Sequence, residues 1–411
     1  MADIRPFMAM RPAKDLVSRV AALPYDVYNR EEAKIETKKE PKSFLAIDRP
    51  ETNFPDDFDM YSQEAYDKAK ELLDTAFNNG TYVEEKKPVF YIYELIMDGR
   101  HQTGITALAS IDDYISGVIK KHENTRAEKE QDRINHIYNC SAQTGPIFLA
   151  YRKKKMISDI VNRIKRECEP LYSFTSDDQI THNVWAIDGE EDIISLKAEF
   201  KNLEAVYIAD GHHRAASAVK VGLKKREECP DYNGEEEFNF FMSVLFPDSE
   251  LKILPYNRVI KDLNGNSVDE FVEKVKEICE VAKDDVAVEP ERKATFGMFL
   301  DGSWYRLRVK EEYLNDDPVK GLDVSLLQDL ILRPILGIED PRTDERIDFV
   351  GGIRGLKELE RRCSLDSCLA FSMYPTSIQE LFNVADAGLL MPPKSTWFEP
   401  KLRSGIFIHK I

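Results

Sequence analysis

Apolar positions along this chain recur at two spacings, in short unbroken or alternating runs and at every third to fourth residue, and the two kinds of stretch interleave. Ala65, Ala69, Leu72, Leu73 and Phe77 mark one helical stripe, which predicts a helix over 62–77 with Ser62 as N-cap and Gly80 just past its end. Residues 89–96 and 102–109 read as strands joined by a turn at Asp98-Gly99. A basic amphipathic helix is expected over 157–168 and a buried strand over 240–246. A further helix, over 268–281, would face Phe271, Val272, Val275 and Ile278 inward. Asn315-Asp316-Asp317-Pro318 reads as a linker or loop, followed by an apolar helix over 324–332 that Pro334 would end. A short strand over 406–408 follows Gly405. Strand and helix patterns mixed in this way predict an α+β (mixed α/β) fold rather than an all-α one.

The run Val206-Tyr207-Ile208-Ala209-Asp210-Gly211-His212-His213-Arg214-Ala215-Ala216-Ser217-Ala218 carries the most chemical information. A strand enters a glycine turn and leaves as a helix whose first turn is cationic. Gly211 allows a sharp turn and a close backbone approach, and free helix N–H groups with Arg214 would face an anion. A strand-to-helix turn with merely solvated histidines fits the same residues. Upstream, His122-Glu123 sits in Lys120-Lys121-His122-Glu123-Asn124-Thr125-Arg126, where neighbouring cations favour an ionised carboxylate able to accept a proton or ligate a metal. A solvated charged helix start is the plainer reading there. Lys129, Asp132 and Arg133 are expected on an exposed face. Near the end, Pro392-Pro393-Lys394-Ser395-Thr396-Trp397 offers an ammonium and two hydroxyls on a stiffened loop, suited to a small polar or phosphorylated ligand or simply to anchoring Trp397.

Composition narrows the classes. The 411 residues suggest two or three domains, with 42% hydrophobic and 32% charged residues. A formal charge of −17 argues against a general nucleic-acid binder. No apolar run is long enough for a membrane span and the N-terminus lacks signal-peptide character, so a cytoplasmic location is expected. The six cysteines form no CxxC pair, which indicates neither a zinc knuckle nor a disulfide framework. Nothing in the sequence sets an oligomeric state.

In order and type, these three motifs resemble those of the free L-serine kinase branch of the ParB/sulfiredoxin-like superfamily. That branch carries a His-Glu pair, then an Asp-Gly-His-His-Arg turn, then a Pro-Lys-(Ser/Thr)-Thr loop. The whole chain is also similar to long bacterial and archaeal homologues catalogued as a domain of unknown function. The shared stretches include 23–27, 104–114 and Asn257-Arg258. The resemblance implies a ParB/sulfiredoxin-like core over 86–260, an N-terminal segment over 1–85 packing on it, and a C-terminal α/β domain over 261–411 that contributes the late loop. It implies that Glu123, with His122 beside it, is the base that deprotonates a serine hydroxyl. Asp210, Gly211, His212, His213 and Arg214 would hold the phosphates of ATP or ADP, with Asp210 near Mg²⁺. Lys394, Ser395 and Thr396 would bind the acceptor, L-serine or another small hydroxylated metabolite. The chain departs from the compact kinases in the length between Glu123 and Asp210. A sulfiredoxin-like reductase would need a cysteine where His212 stands. A nucleotide-gated DNA clamp would need a basic helix-turn-helix, and a metal hydrolase would need a ligand spacing that is missing here. A non-catalytic nucleotide sensor differs from the kinase only in turnover.

Overall fold

The computed structural model describes residues 2–411. Contacts divide the chain into two compact units, Met1–Leu251 together with Pro400–Ile411, and Lys252–Glu399.

The first unit is built on a nine-stranded mixed sheet. Its strands are β1 (Ile4–Arg5), β2 (Phe90–Met97), β3 (Arg100–Ser110), β4 (Ile119–Lys120), β5 (Ile147–Tyr151), β6 (Tyr172–Thr175), β7 (Thr181–Ile187), β8 (Val206–Asp210) and β9 (Phe240–Pro247). They lie in the order β4-β8-β5-β9-β3-β2-β7-β6, with β1 beside β3. The β2–β3 hairpin turns at Asp98 and Gly99, both at positive φ, as a tight two-residue connection requires. Every residue of β9 is buried, which matches its unbroken apolar run. One face of the sheet packs Ile92, Ile105, Ile147, Leu149, Ile208 and Leu245 into the main core.

Three helices bear on the site. The first, α1 (Gln63–Asn78), starts where Ser62 accepts a hydrogen bond from the Ala65 N–H, and it buries Ala65, Ala69 and Leu73. Next come α2 (Ala127–Cys140) and α3 (His212–Glu228). Ala215, Ala216, Ser217 and Ala218 are small enough for α3 to approach α2 closely, and the Ser217 hydroxyl donates to the Glu130 carbonyl at 3.0 Å. Asp132 and Arg133 of α2 are buried, contrary to the exposed face expected for them; Lys129 is exposed. Their charges survive burial by pairing with each other at 2.8 Å, while the Tyr66 hydroxyl donates to Asp132 and Tyr25 stacks under the Arg133 guanidinium at 4.1 Å. The chain end returns to this unit through backbone pairing of Ser404 with Ala22 and of Ile408 with Met10. The terminal ladder lies at His409–Lys410, opposite Gln143 and Ala142, rather than over 406–408.

The second unit is a six-stranded antiparallel sheet with helices. Its strands are Tyr256–Ile260, Cys279–Asp284, Thr295–Leu300, Ser303–Val309, Ile347–Gly351 and Leu369–Met373. The helix predicted to run to residue 281 ends at Ile278, because Cys279–Asp284 pairs with Ser303–Val309. Its start is fixed by a capping box between Ser267 and Glu270. The apolar helix expected over 324–332 begins one residue earlier, as Asp323–Leu327, and then widens so that Arg333 N–H bonds the Gln328 carbonyl. Asn315-Asp316-Asp317-Pro318 is a turn within this unit, where Asp317 accepts from the Val319 and Lys320 N–H groups.

Candidate functional site

Strands β4 and β8 run parallel, so both chains leave the sheet at the same edge. The loop over 121–126 and the turn at Gly211 therefore emerge side by side, beyond the carboxyl ends of their strands, where open α/β sheets bind ligands. The pairing of β8 with β5 slips between Ile208 and Asp210, which re-aims Asp210 at the strand's end. Gly211 then adopts φ +91 as the N-cap of α3, and no side chain caps that helix. A Cβ at Gly211 would sit 3.2 Å from the Arg214 guanidinium, so glycine serves here both the backbone angle and the close approach of the cation.

The two adjacent histidines clasp the neighbouring loop. His212 Nε2 accepts from the His122 backbone N–H at 3.5 Å, and His213 Nε2 accepts from the Arg126 N–H at 2.9 Å. With Nε2 accepting, the ring proton of His212 lies on Nδ1, which is 3.8 Å from Glu123 Oε2. His122 packs edge-on against His212 with ring centroids 4.5 Å apart. Burial pushes His122 down to about 4, and burial followed by the proximity of His122 holds His212 well below the ordinary imidazole range. Both rings are neutral at pH 7. Burial also lowers His213, with Lys129 adding to the effect. Glu123 remains substantially exposed, its side chain at 45%.

Asp210 is held at both oxygens, Oδ1 by the Gly211 N–H and Oδ2 by Lys401 Nζ, each at 2.8 Å. Burial opposes its charge, but Lys401 and then Arg214 outweigh that and keep it well below the usual carboxylate range. Arg214 differs. Its Nη1 donates to the Pro146 carbonyl at 2.5 Å, and it acts on Asp210 electrostatically, without a direct ion pair among the described residues. It lines a cleft together with Tyr25, Asp48, Arg133, Thr144 and Ser404. Asp48 accepts there from the Thr144 hydroxyl at 2.8 Å.

His122, Glu123 and Asp210–Arg214 are thus neighbours in one unit. Lys394, Ser395 and Thr396 belong to the other. There Lys394 takes φ +56 with its ammonium over the Tyr256 ring at 5.2 Å. Ser395 is buried and its hydroxyl donates to the Pro392 carbonyl. Trp397 is half-buried against Tyr256 and Gly351. Sequence reasoning missed Lys401, Asp48, Tyr25 and Arg133. Lys401 had no local signal, since only the return of the chain end brings it to Asp210. Tyr25 lay in the stretch 23–27 shared with the long homologues, and the structure makes Tyr25–Val27 a single helical turn. Among the described residues, no group of three or more His, Cys, Asp and Glu side chains is placed to hold a metal ion, and no helix is long and apolar enough to cross a membrane.

The chain belongs to the family described as a protein of unknown function (DUF1015), whose model matches residues 4–325. No curated protein matches it. Similar solved structures include a conserved hypothetical protein from Pyrococcus furiosus, at 14% identity and TM-score 0.36, covering 74% of this chain and 94% of that one. A mutant free serine kinase in complex with ADP matches at 14% identity and TM-score 0.36, over 74% of this chain and 92% of its own. SbnI with a C-terminal truncation from Staphylococcus aureus matches at 10% identity and TM-score 0.37, over 72% and 82%.

Proposed function

We propose that this protein is a nucleotide-dependent kinase of a small hydroxylated metabolite, with L-serine the first acceptor to try. The observation that carries the reading is Arg214, a cation in no direct ion pair among the described residues, set over a glycine turn at the uncapped start of a 17-residue helix. That combination suits a phosphate group. Glu123 lies beside it, held in place by the histidine clasp. In the transfer, the acceptor oxygen bonds to the terminal phosphorus of ATP or ADP as its proton passes to Glu123. The phosphorus–bridging oxygen bond breaks and its electron pair leaves with the departing nucleotide. Magnesium, when bound on the phosphates, would neutralise their charge. Such an ion needs one or two carboxylates at most; Asp210 would supply one, with its two oxygens also engaged by the Gly211 N–H and Lys401. Lys394, Ser395 and Thr396 are proposed to bind the acceptor.

Arg214→Ala tests the phosphate turn. One charge-assisted hydrogen bond is worth about 1.5–3 kcal/mol, so affinity for Mg-ATP or Mg-ADP should fall about 10- to 150-fold by calorimetry. Unchanged affinity would remove this turn from the site.

A further inference from the structure

In the same unit as the phosphate turn lies a second cleft, whose walls include Tyr25, Tyr28, Tyr61, Tyr66 and Met60. We infer that this tyrosine-lined cleft is the nucleobase subsite of the nucleotide whose phosphates rest at Gly211–Arg214. The inference rests on the phosphate-turn reading and extends it to the other end of the ligand.

Three observations support it. First, the two clefts share a wall, because Tyr25 and Arg133 line both. Arg214 lines the first cleft beside that shared wall. A ligand with a planar end and a polyanionic end can therefore lie across Tyr25, with its anionic end toward Arg214.

Second, the aromatic wall is braced by its neighbours in the cleft. Arg49 and Glu51 form a buried ion pair at 2.5 Å, and Arg49 Nη1 also donates to the Tyr25 and Tyr28 carbonyls at 3.1 and 2.7 Å. The Tyr66 hydroxyl is fixed on Asp132 at 3.0 Å. Such a wall loses little freedom when a ring stacks on it.

Third, Tyr61 is 54% exposed at the edge of this cleft. A single exposed aromatic is ordinary. One at the mouth of a cleft already lined by three other tyrosines has a face to offer, and stacking on it suits any base because every base has a π-face.

Calorimetry on the full chain separates this site from the phosphate turn, using Mg-ADP, Mg-ATP and Mg-tripolyphosphate, which lacks base and ribose. The parent should bind the nucleotides more tightly than tripolyphosphate. Tyr61→Ala should weaken nucleotide binding about 5- to 150-fold and leave tripolyphosphate binding unchanged, whereas Tyr61→Phe keeps the stack and the affinity. Arg214→Ala should weaken all three ligands. Nucleotide affinity that depends on Arg214 but not on Tyr61 would overturn the base site and leave the phosphate turn standing. A parent that binds tripolyphosphate as tightly as the nucleotides would do the same. Binding of none of the three would overturn both.

Discussion

Removing Lys401 strands a partly buried carboxylate, and the size of the effect can be bracketed from the geometry. Lys401 and Asp210 sit 2.8 Å apart with side chains 16% and 29% exposed. Breaking a fully buried pair costs about 3–5 kcal/mol, while an exposed pair is worth about 0.2–1 kcal/mol. This pair lies between those limits, so Lys401→Met should destabilise the protein by about 2–3 kcal/mol at pH 7. The penalty comes from Asp210 keeping its burial while losing its strongest counter-charge. Adding Asp210→Asn removes the stranded charge and still leaves an amide oxygen to accept from the Gly211 N–H. The double variant should therefore recover to within about 1 kcal/mol of the parent. The pH dependence has a definite sign. Asp210 titrates below its unfolded value, so its contribution is present above about pH 4 and is lost as pH falls through the folded value. In Lys401→Met, burial acts with less opposition, the carboxyl rises, and that acid loss shrinks. Urea unfolding at pH 7 and at pH 3–4, read at the midpoint with the slope checked, measures both effects. Equal stability of Lys401→Met and the double variant would refute the argument, because no stranded charge would then be present.

Two more predictions concern other parts of the chain. Asp323 caps the Ala294 N–H with both carboxylate oxygens, and burial pushes it up to about 7. Its protonated form therefore stabilises the fold below about pH 4, and that stability is lost as pH rises through 7; Asp323→Asn should flatten the loss, which thermal midpoints across pH 4–8 will show. His213→Ala removes the acceptor of the Arg126 N–H, so amide exchange over 121–126 should quicken about 5- to 10-fold, as expected for about 1 kcal/mol, while the β9 amides stay unchanged; unaltered exchange in the loop would rule out the clasp.

Much of the site's framework can be read in the sequence because it is local. The apolar run 206–209, the glycine after Asp210 and the small residues after Arg214 specify strand, turn and closely packed helix without help from distant parts of the chain. The Ser62 cap and the Asp98-Gly99 hairpin are local in the same sense. What escapes is set by tertiary pairing. Asp132 and Arg133 look like a solvated face because their polarity is visible, whereas the partners that neutralise them, Tyr25, Tyr66 and each other, are visible only in space. Val281 continues a helical spacing after Ile278, yet the strand Ser303–Val309 captures the segment, and pairing prevails over periodicity. Lys401 reaches Asp210 only because Ser404 and Ile408 pair with Ala22 and Met10 near the start of the chain. The neighbourhood of Glu123 and His212 follows from a parallel pairing of β4 with β8 that no short motif encodes.

The central claim, that Glu123 takes the proton in a phosphoryl transfer at this turn, is tested most directly by product formation in Glu123→Gln. Phosphorus NMR of the full chain with Mg-ATP or Mg-ADP and L-serine, then a panel of small hydroxylated metabolites, follows the new phosphate ester. The parent should form it. Glu123→Gln is nearly isosteric but cannot accept the proton as a carboxylate does, so it should turn over at least about 10²-fold more slowly while nucleotide affinity stays within about twofold. A variant that matches the parent's rate, or a parent that phosphorylates none of these acceptors while binding nucleotide, would contradict the account.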